Sequence, residues 1–191
     1  VYKRELTGHD VSGDRTVTSA AAISQSAALT VSGTSSFTST GSNSNITLST
    51  DTNDLAGAVS AVTAGTSGDV TIDNGTTALN IAASTVGGNL TVTAGDSITD
   101  SGIITVGGTA SFTTDTSDKL ITLNSQNAIT GQVTFDTTDP GGNVSFDNGT
   151  TAISLGTIST GDIGGGLTLL TDADQTISNA ITLNGSGADL S

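Results

Sequence analysis

The chain has 191 residues, among them 25 Ser, 37 Thr, 25 Gly, one Pro and no Cys, Met or Trp. Seventeen Asp and one Glu outweigh four Lys or Arg, and the net charge of −14 argues against nucleic acid and anionic membranes, which are held by cations. The missing Cys excludes a disulfide framework and a thiolate metal site, and no apolar run approaches the ~20 residues that span a bilayer.

Residues 1–19 stand apart. They hold the only Tyr, the only His (His9), the only Glu (Glu5) and three of the four cations, Lys3, Arg4 and Arg15. They are expected to be an N-terminal cap, a linker or an irregular first coil. No signal peptide opens the chain, because Val1-Tyr2-Lys3-Arg4 leads into polar residues; a mature or internal segment is expected.

From residue 20 onward, short apolar-Thr-apolar segments recur: Leu29-Thr30-Val31, Ile46-Thr47-Leu48, Val70-Thr71-Ile72, Leu90-Thr91-Val92 and Ile121-Thr122-Leu123. Gly, Asn or Asp bounds each one. Period-two alternation sends Leu90 and Val92 to one side of a strand and Thr91 and Thr93 to the other. Disorder is disfavoured, since mean hydropathy is +0.07 and only 12% of residues are charged. Dense Gly and Thr, with no sustained 3.6-residue period, predict no helix.

A longer repeat organises these strands. Ile23 to Thr38 matches Ile98 to Thr113, and Asn45 to Leu48 matches Leu120 to Leu123, both at an offset of 75. The offset becomes 74 where Val70-Thr71-Ile72-Asp73-Asn74-Gly75-Thr76-Thr77 matches Val144-Ser145-Phe146-Asp147-Asn148-Gly149-Thr150-Thr151. It is 77 where Val86 to Val92 matches Ile163 to Leu169. The division is a single β-solenoid over 20–191, with repeats at about 23–97 and 98–176 and a partial one at 177–191. Stacking equivalent short strands along an axis buries Val, Ile, Leu and Phe without a deep core.

The expected fold is therefore all-β: a right-handed parallel β-helix (β-solenoid) with about 20 residues per coil. One repeat unit would make about four coils and the chain about nine, a rod of roughly 45 Å. The right hand is the default for parallel crossings. The alternative is a set of antiparallel β-sandwich repeats, since Asn-Gly also closes hairpins.

The run Val86-Gly87-Gly88-Asn89-Leu90-Thr91-Val92-Thr93-Ala94-Gly95, followed by Ile98-Thr99-Asp100-Ser101-Gly102 and Val106-Gly107-Gly108-Thr109-Ala110-Ser111-Phe112, resembles the repeat of large filamentous-haemagglutinin-type exoproteins. The resemblance covers about residues 20–191. It implies a right-handed β-helical shaft in a giant secreted or surface protein of adhesin type. Such proteins often leave the cell by two-partner secretion, with an amino-terminal domain bearing Asn-Pro motifs. This sequence departs from that pattern, its only Pro being Pro140.

No catalytic, cofactor-binding or metal-binding residue is assigned, and the chain is not expected to be an enzyme. His9, the only base available to a Ser or Thr nucleophile, sits in the atypical first segment. The carboxylate pairs Asp115 with Asp118 and Asp136 with Asp139 could do glycoside chemistry, but lack the cations and aromatics that hold a sugar. Calcium is the cofactor alternative: Asp51, Asn53 and Asp54 cluster, as do Asp172 and Asp174, yet the Gly-Gly-x-Gly-x-Asp nonapeptide of calcium rolls is missing. Gly161 to Gly166 has no Lys-Ser/Thr or helix behind it for a phosphate. Asn45, Asn74, Asn89, Asn143, Asn148 and Asn184 open Asn-x-Ser/Thr triplets, which matter only in a glycosylating host. Thr91 and Thr93 suggest an ice-binding Thr array, which drifting coil lengths would break.

The expected function is the structural shaft of a secreted or cell-surface adhesin or extracellular fibre protein. The alternatives are a self-assembling filament subunit, or a module binding calcium or glycan through an Asp- or Thr-rich face. Expected partners are adjacent repeats, other copies of the chain, or a glycan or protein on a host or neighbouring cell.

Overall fold

The computed structural model describes residues 3–138, 141–158, 162–175, 181 and 191. Its strands are two to eight residues long, and every strand pair is parallel. No helix occurs among the described residues. The antiparallel sandwich is thereby excluded, because the chain winds in one sense and lays each strand on its predecessor.

One wall is an eight-stranded sheet made of Arg4–Leu6, Ile23–Gln25, Ile46–Leu48, Val70–Asp73, Leu90–Ala94, Ala110–Thr114, Gln132–Asp136 and Ser154–Leu155. Its register steps Arg4, Ile23, Ile46, Val70, Leu90, Ala110, Val133, Leu155. That is seven turns of about 22 residues. The facing wall has eleven strands, beginning with Arg15–Ser19, Ser35–Ser42 and Val59–Ala64. It then forks into one line ending at Leu167–Leu170 and another ending at Ala128–Ile129. A small third sheet of His9–Val11, Leu29–Val31 and Asp54–Leu55 flanks the first three coils.

The expected coil of about 20 residues is close to the observed 22, and the seven turns from Arg4 to Leu155 span ~34 Å at about 4.8 Å each. One expectation changes. The 75-residue unit is three and a half coils, not four. Three turns from Ile23 along the first sheet reach Leu90, and its sequence equivalent Ile98 lies half a turn beyond, in the second sheet. Val70 and Val144 stand in the same relation, as do Phe37 in the second sheet and Phe112 in the first. An odd number of half-turns moves repeated residues of the first sheet to the second, and those of the second to the first, in the next unit.

The core is a single apolar layer between the walls. Ile23, Ile46, Val70, Leu90, Ala110, Val133 and Leu155 form one buried inward column, and Leu48, Ile72, Val92, Phe112 and Phe135 form another. Phe112 and Phe135 stack one coil apart with centroids 5.9 Å apart, and Phe135 meets Phe146 from the facing wall at 5.5 Å, tilted by 58°. These pairs add about 0.5–1.5 kcal/mol each beyond area burial. Residues 4–19 continue the same winding. Arg4–Leu6, His9–Val11 and Arg15–Ser19 pair in parallel register with the strands of the second coil.

Candidate functional surfaces

Strand alternation creates a hydroxyl column on the outside of the first sheet. Ser24, Thr47, Thr71, Thr91, Ser111 and Thr134 follow one another in unbroken register over six coils. The steps along this sheet vary from 19 residues (Arg4 to Ile23) to 24 (Ile46 to Val70). The extra residues are absorbed at the corners, so drifting coil length does not break the array as expected. A second outward column reads Asp73, Thr93, Thr113, Asp136, placing carboxylates among the hydroxyls. The second sheet carries a matching line of Asn80, Thr99, Thr122, Ser145 and Thr168.

The corners are held by Asn and Asp side chains. A parallel strand starts with an N–H that needs an acceptor on the coil beneath it. Asn45 Oδ1 accepts from Asp69 N–H at 2.9 Å, Asp69 Oδ1 from Asn89 N–H at 2.8 Å, and Asn89 Oδ1 from Thr109 N–H at 2.9 Å. Asp14 does the same for Thr34 N–H, and Asn143 for Gly166 N–H. The hydrogen bonds from Thr34 hold the Asp14 carboxyl below the usual aspartate range.

Four further Asn turn inward. Asn53 and Asn127 accept from Leu29 N–H (2.9 Å) and Ile104 N–H (2.8 Å), whose residues are equivalent in the two repeats. Asn74 and Asn148 accept from Leu55 N–H and Ile129 N–H, both at 2.8 Å. Their Nδ2 groups donate to Ala78 O and Ala152 O, closing the turns that follow. Thr63 and Thr137 are likewise buried, each donating to a glycine carbonyl five residues on. These polar core residues escaped the sequence reading, which used Asn and Asp as the bounds of strands. The signal was their recurrence at one offset: 53 with 127, 63 with 137, 74 with 148.

Asn53 is thus buried at 2% exposure, while Asp51 is exposed and Asp54 half-buried. Asp172 and Asp174 are exposed, and Asp172 N–H is given to Gly149 O. Among the described residues no group of three or more His, Cys, Asp or Glu is arranged to hold a metal. Asp115 and Asp118 share one exposed turn. The carboxylates that bear on Asp115 are instead Asp73 and Asp136 from other coils; partial burial first, then these two charges, raise its pKa above the ordinary aspartate value. Asp139, Pro140, Gly161, Asn184 and the His9 side chain lie outside the described residues, as does most of the partial third repeat.

The glycine run donates its N–H groups inside the coil: Gly164 to Thr137 Oγ1, Gly165 to Gly142 O and Gly166 to Asn143 Oδ1. These three N–H groups are therefore not free to cradle a phosphate. Of the Asn-x-Ser/Thr triplets, Asn74 and Asn148 are fully buried in the folded chain, whereas Asn45, Asn89 and Asn143 are exposed and occupied as caps. Among the described residues no helix is long and apolar enough to cross a membrane. Among the described residues, Lys3 pairs with Glu5 at 3.2 Å and Lys119 with Asp96 at 2.9 Å, both at the surface.

Residues 4–62 and 67–136 match the family described as Repeats of unknown function (DUF5649). The chain belongs to this family. The two matched segments run through the first six coils and into the seventh, so the DUF5649 repeat is built here as stacked parallel coils. Comparison with curated proteins and with solved structures gives no match.

Proposed function

We propose that the chain is a segment of structural shaft in a secreted or cell-surface protein of adhesin or extracellular-fibre type. The supporting observation is the continuity of the stack. In-register parallel pairing runs from Arg4 to Leu170, around one buried apolar cluster that extends from Leu6 to Leu167. Each coil contacts its neighbours only, so length adds by repetition and the ends are held a fixed distance apart. The filamentous-haemagglutinin-like identity is part of this proposal and rests on the Val-Gly-Gly-Asn-Leu-Thr-Val-Thr-Ala-Gly run. The absence of Cys suits export of an unfolded chain, and no catalysis is proposed.

The test is to display the chain on a cell with a peptide tag at its far end, with and without one 75-residue unit. The shaft reading expects tag recognition to be retained and the tag to approach the surface by ~17 Å, three and a half coils at 4.8 Å. Unchanged reach would contradict it.

A second reading, a binding face, is favoured by the hydroxyl column Ser24 to Thr134. Co-sedimentation with insoluble polysaccharides, compared with a Thr71→Val/Thr91→Val variant, tests it. Loss of binding in the variant supports a face, and no binding by either protein counts against it.

A further inference from the structure

Asn-Gly is the dipeptide most prone to lose its amide, because the glycine nitrogen meets little steric hindrance in attacking the Asn side chain. The chain has Asn-Gly at 74–75, 148–149 and 184–185, and the first two lie at equivalent positions of its two repeats. At both of these, the folded coil blocks the reaction in the same two ways. The reacting nitrogen is occupied: Gly75 N–H is held by Asp73 Oδ1 at 2.9 Å, and Gly149 N–H by Asp147 Oδ1 at 2.8 Å. The reacting amide is fully buried and fixed at both ends. Asn74 Oδ1 accepts from Leu55 N–H, while its Nδ2 donates to Ala78 O at 2.7 Å and Thr77 Oγ1 at 3.0 Å. Asn148 Oδ1 accepts from Ile129 N–H, while its Nδ2 donates to Ile129 O at 3.0 Å and Ala152 O at 3.1 Å.

We propose that Asn74 and Asn148 are folding-gated deamidation sites, silent in the wound solenoid and reactive only while the chain is unfolded. In the open chain the glycine nitrogen bonds to the Asn Cγ and the Cγ–Nδ2 bond breaks. The glycine nitrogen gives up its proton and ammonia leaves, forming a succinimide. Water then opens the ring at either carbonyl, giving aspartyl or isoaspartyl.

Either product is incompatible with the coil. In the aspartyl product a carboxylate oxygen takes the place of the donating Nδ2 and faces Ala78 O, or Ile129 O and Ala152 O, and a buried carboxylate set against carbonyl oxygens is strongly disfavoured. The isoaspartyl form lengthens the backbone where Gly75 and Gly149 hold φ of 58° and 54°. The modification therefore works in one direction: a chain that stays unwound too long loses the ability to close the coil at 74 or 148.

The test follows both sites by peptide mass spectrometry in warm, mildly alkaline buffer, with the whole chain either native or in concentrated urea. The urea sample is then refolded and separated by size-exclusion chromatography. Amide loss at both sites should be at least about 100-fold slower in the native chain, as expected for sites exposed only by coil opening. The refolded fraction should be depleted of both products, and the non-refolding fraction enriched. Similar rates in native and unfolded protein, or modified chains refolding in proportion to their abundance, would overturn the proposal.

Discussion

At the residue scale, the solenoid depends on a few polar groups buried where apolar packing cannot serve. Asn127 accepts from Ile104 N–H and donates to Asp100 Oδ2 at 2.8 Å and to Leu123 O at 3.2 Å, so it ties consecutive coils together. Asn127→Leu fills the space but orphans these groups, at about 1–3 kcal/mol for each buried one. Urea unfolding should show a lower midpoint, whereas Asn124→Leu at an exposed position should change little. Asp115 makes a second case. Its folded pKa is raised by burial and by the Asp73 and Asp136 carboxylates, so its ionised form is disfavoured in the fold. The penalty exists above the folded pKa and disappears as pH falls below the unfolded value. Asp115→Asn should therefore raise the unfolding free energy at neutral pH, by less than about 1 kcal/mol for so exposed a group, and the gain should vanish on acidification. The inward Asn were illegible for a physical reason: Asn serves an exposed turn and a buried cap with the same short side chain, and only the position of the next coil distinguishes them.

At the element scale, the strands were legible and their assignment to walls was not. Leu90-Thr91-Val92 announces a half-buried strand because its side chains alternate, and the pairing of Thr91 with Ser111 confirms the outward face. Yet Ile46-Thr47-Leu48 and Ile121-Thr122-Leu123 read alike and lie in opposite sheets. Each half-coil presents the same pattern to the same core, so nothing local says which wall a strand joins, and half-turns are easily miscounted. The Phe cluster gives this scale its own test. Phe135 is 2% exposed between Phe112 on its own wall and Phe146 on the other. Phe135→Ala should cost about 3–5 kcal/mol. Because each coil touches only its neighbours, hydrogen exchange should accelerate around residues 110–147 well before it does near Ile23.

At the scale of the whole molecule, an odd number of half-turns makes this a two-faced rod. Thr71 and its equivalent Ser145 point outward from opposite walls, so features encoded once per repeat are displayed on both sides. The same face returns only after two units. The net charge of −14 spreads over both faces and favours separation of neighbouring rods unless salt screens it.

Central to this account is that successive coils stack in register along one axis. Pulsed electron spin resonance tests it most directly, with one nitroxide at Ser24→Cys and a second at Thr71→Cys, Thr91→Cys, Ser111→Cys or Thr134→Cys in turn. The distance should grow by about 4.8 Å per coil, reaching ~24 Å at position 134. Distances that fail to increase with coil number would contradict it.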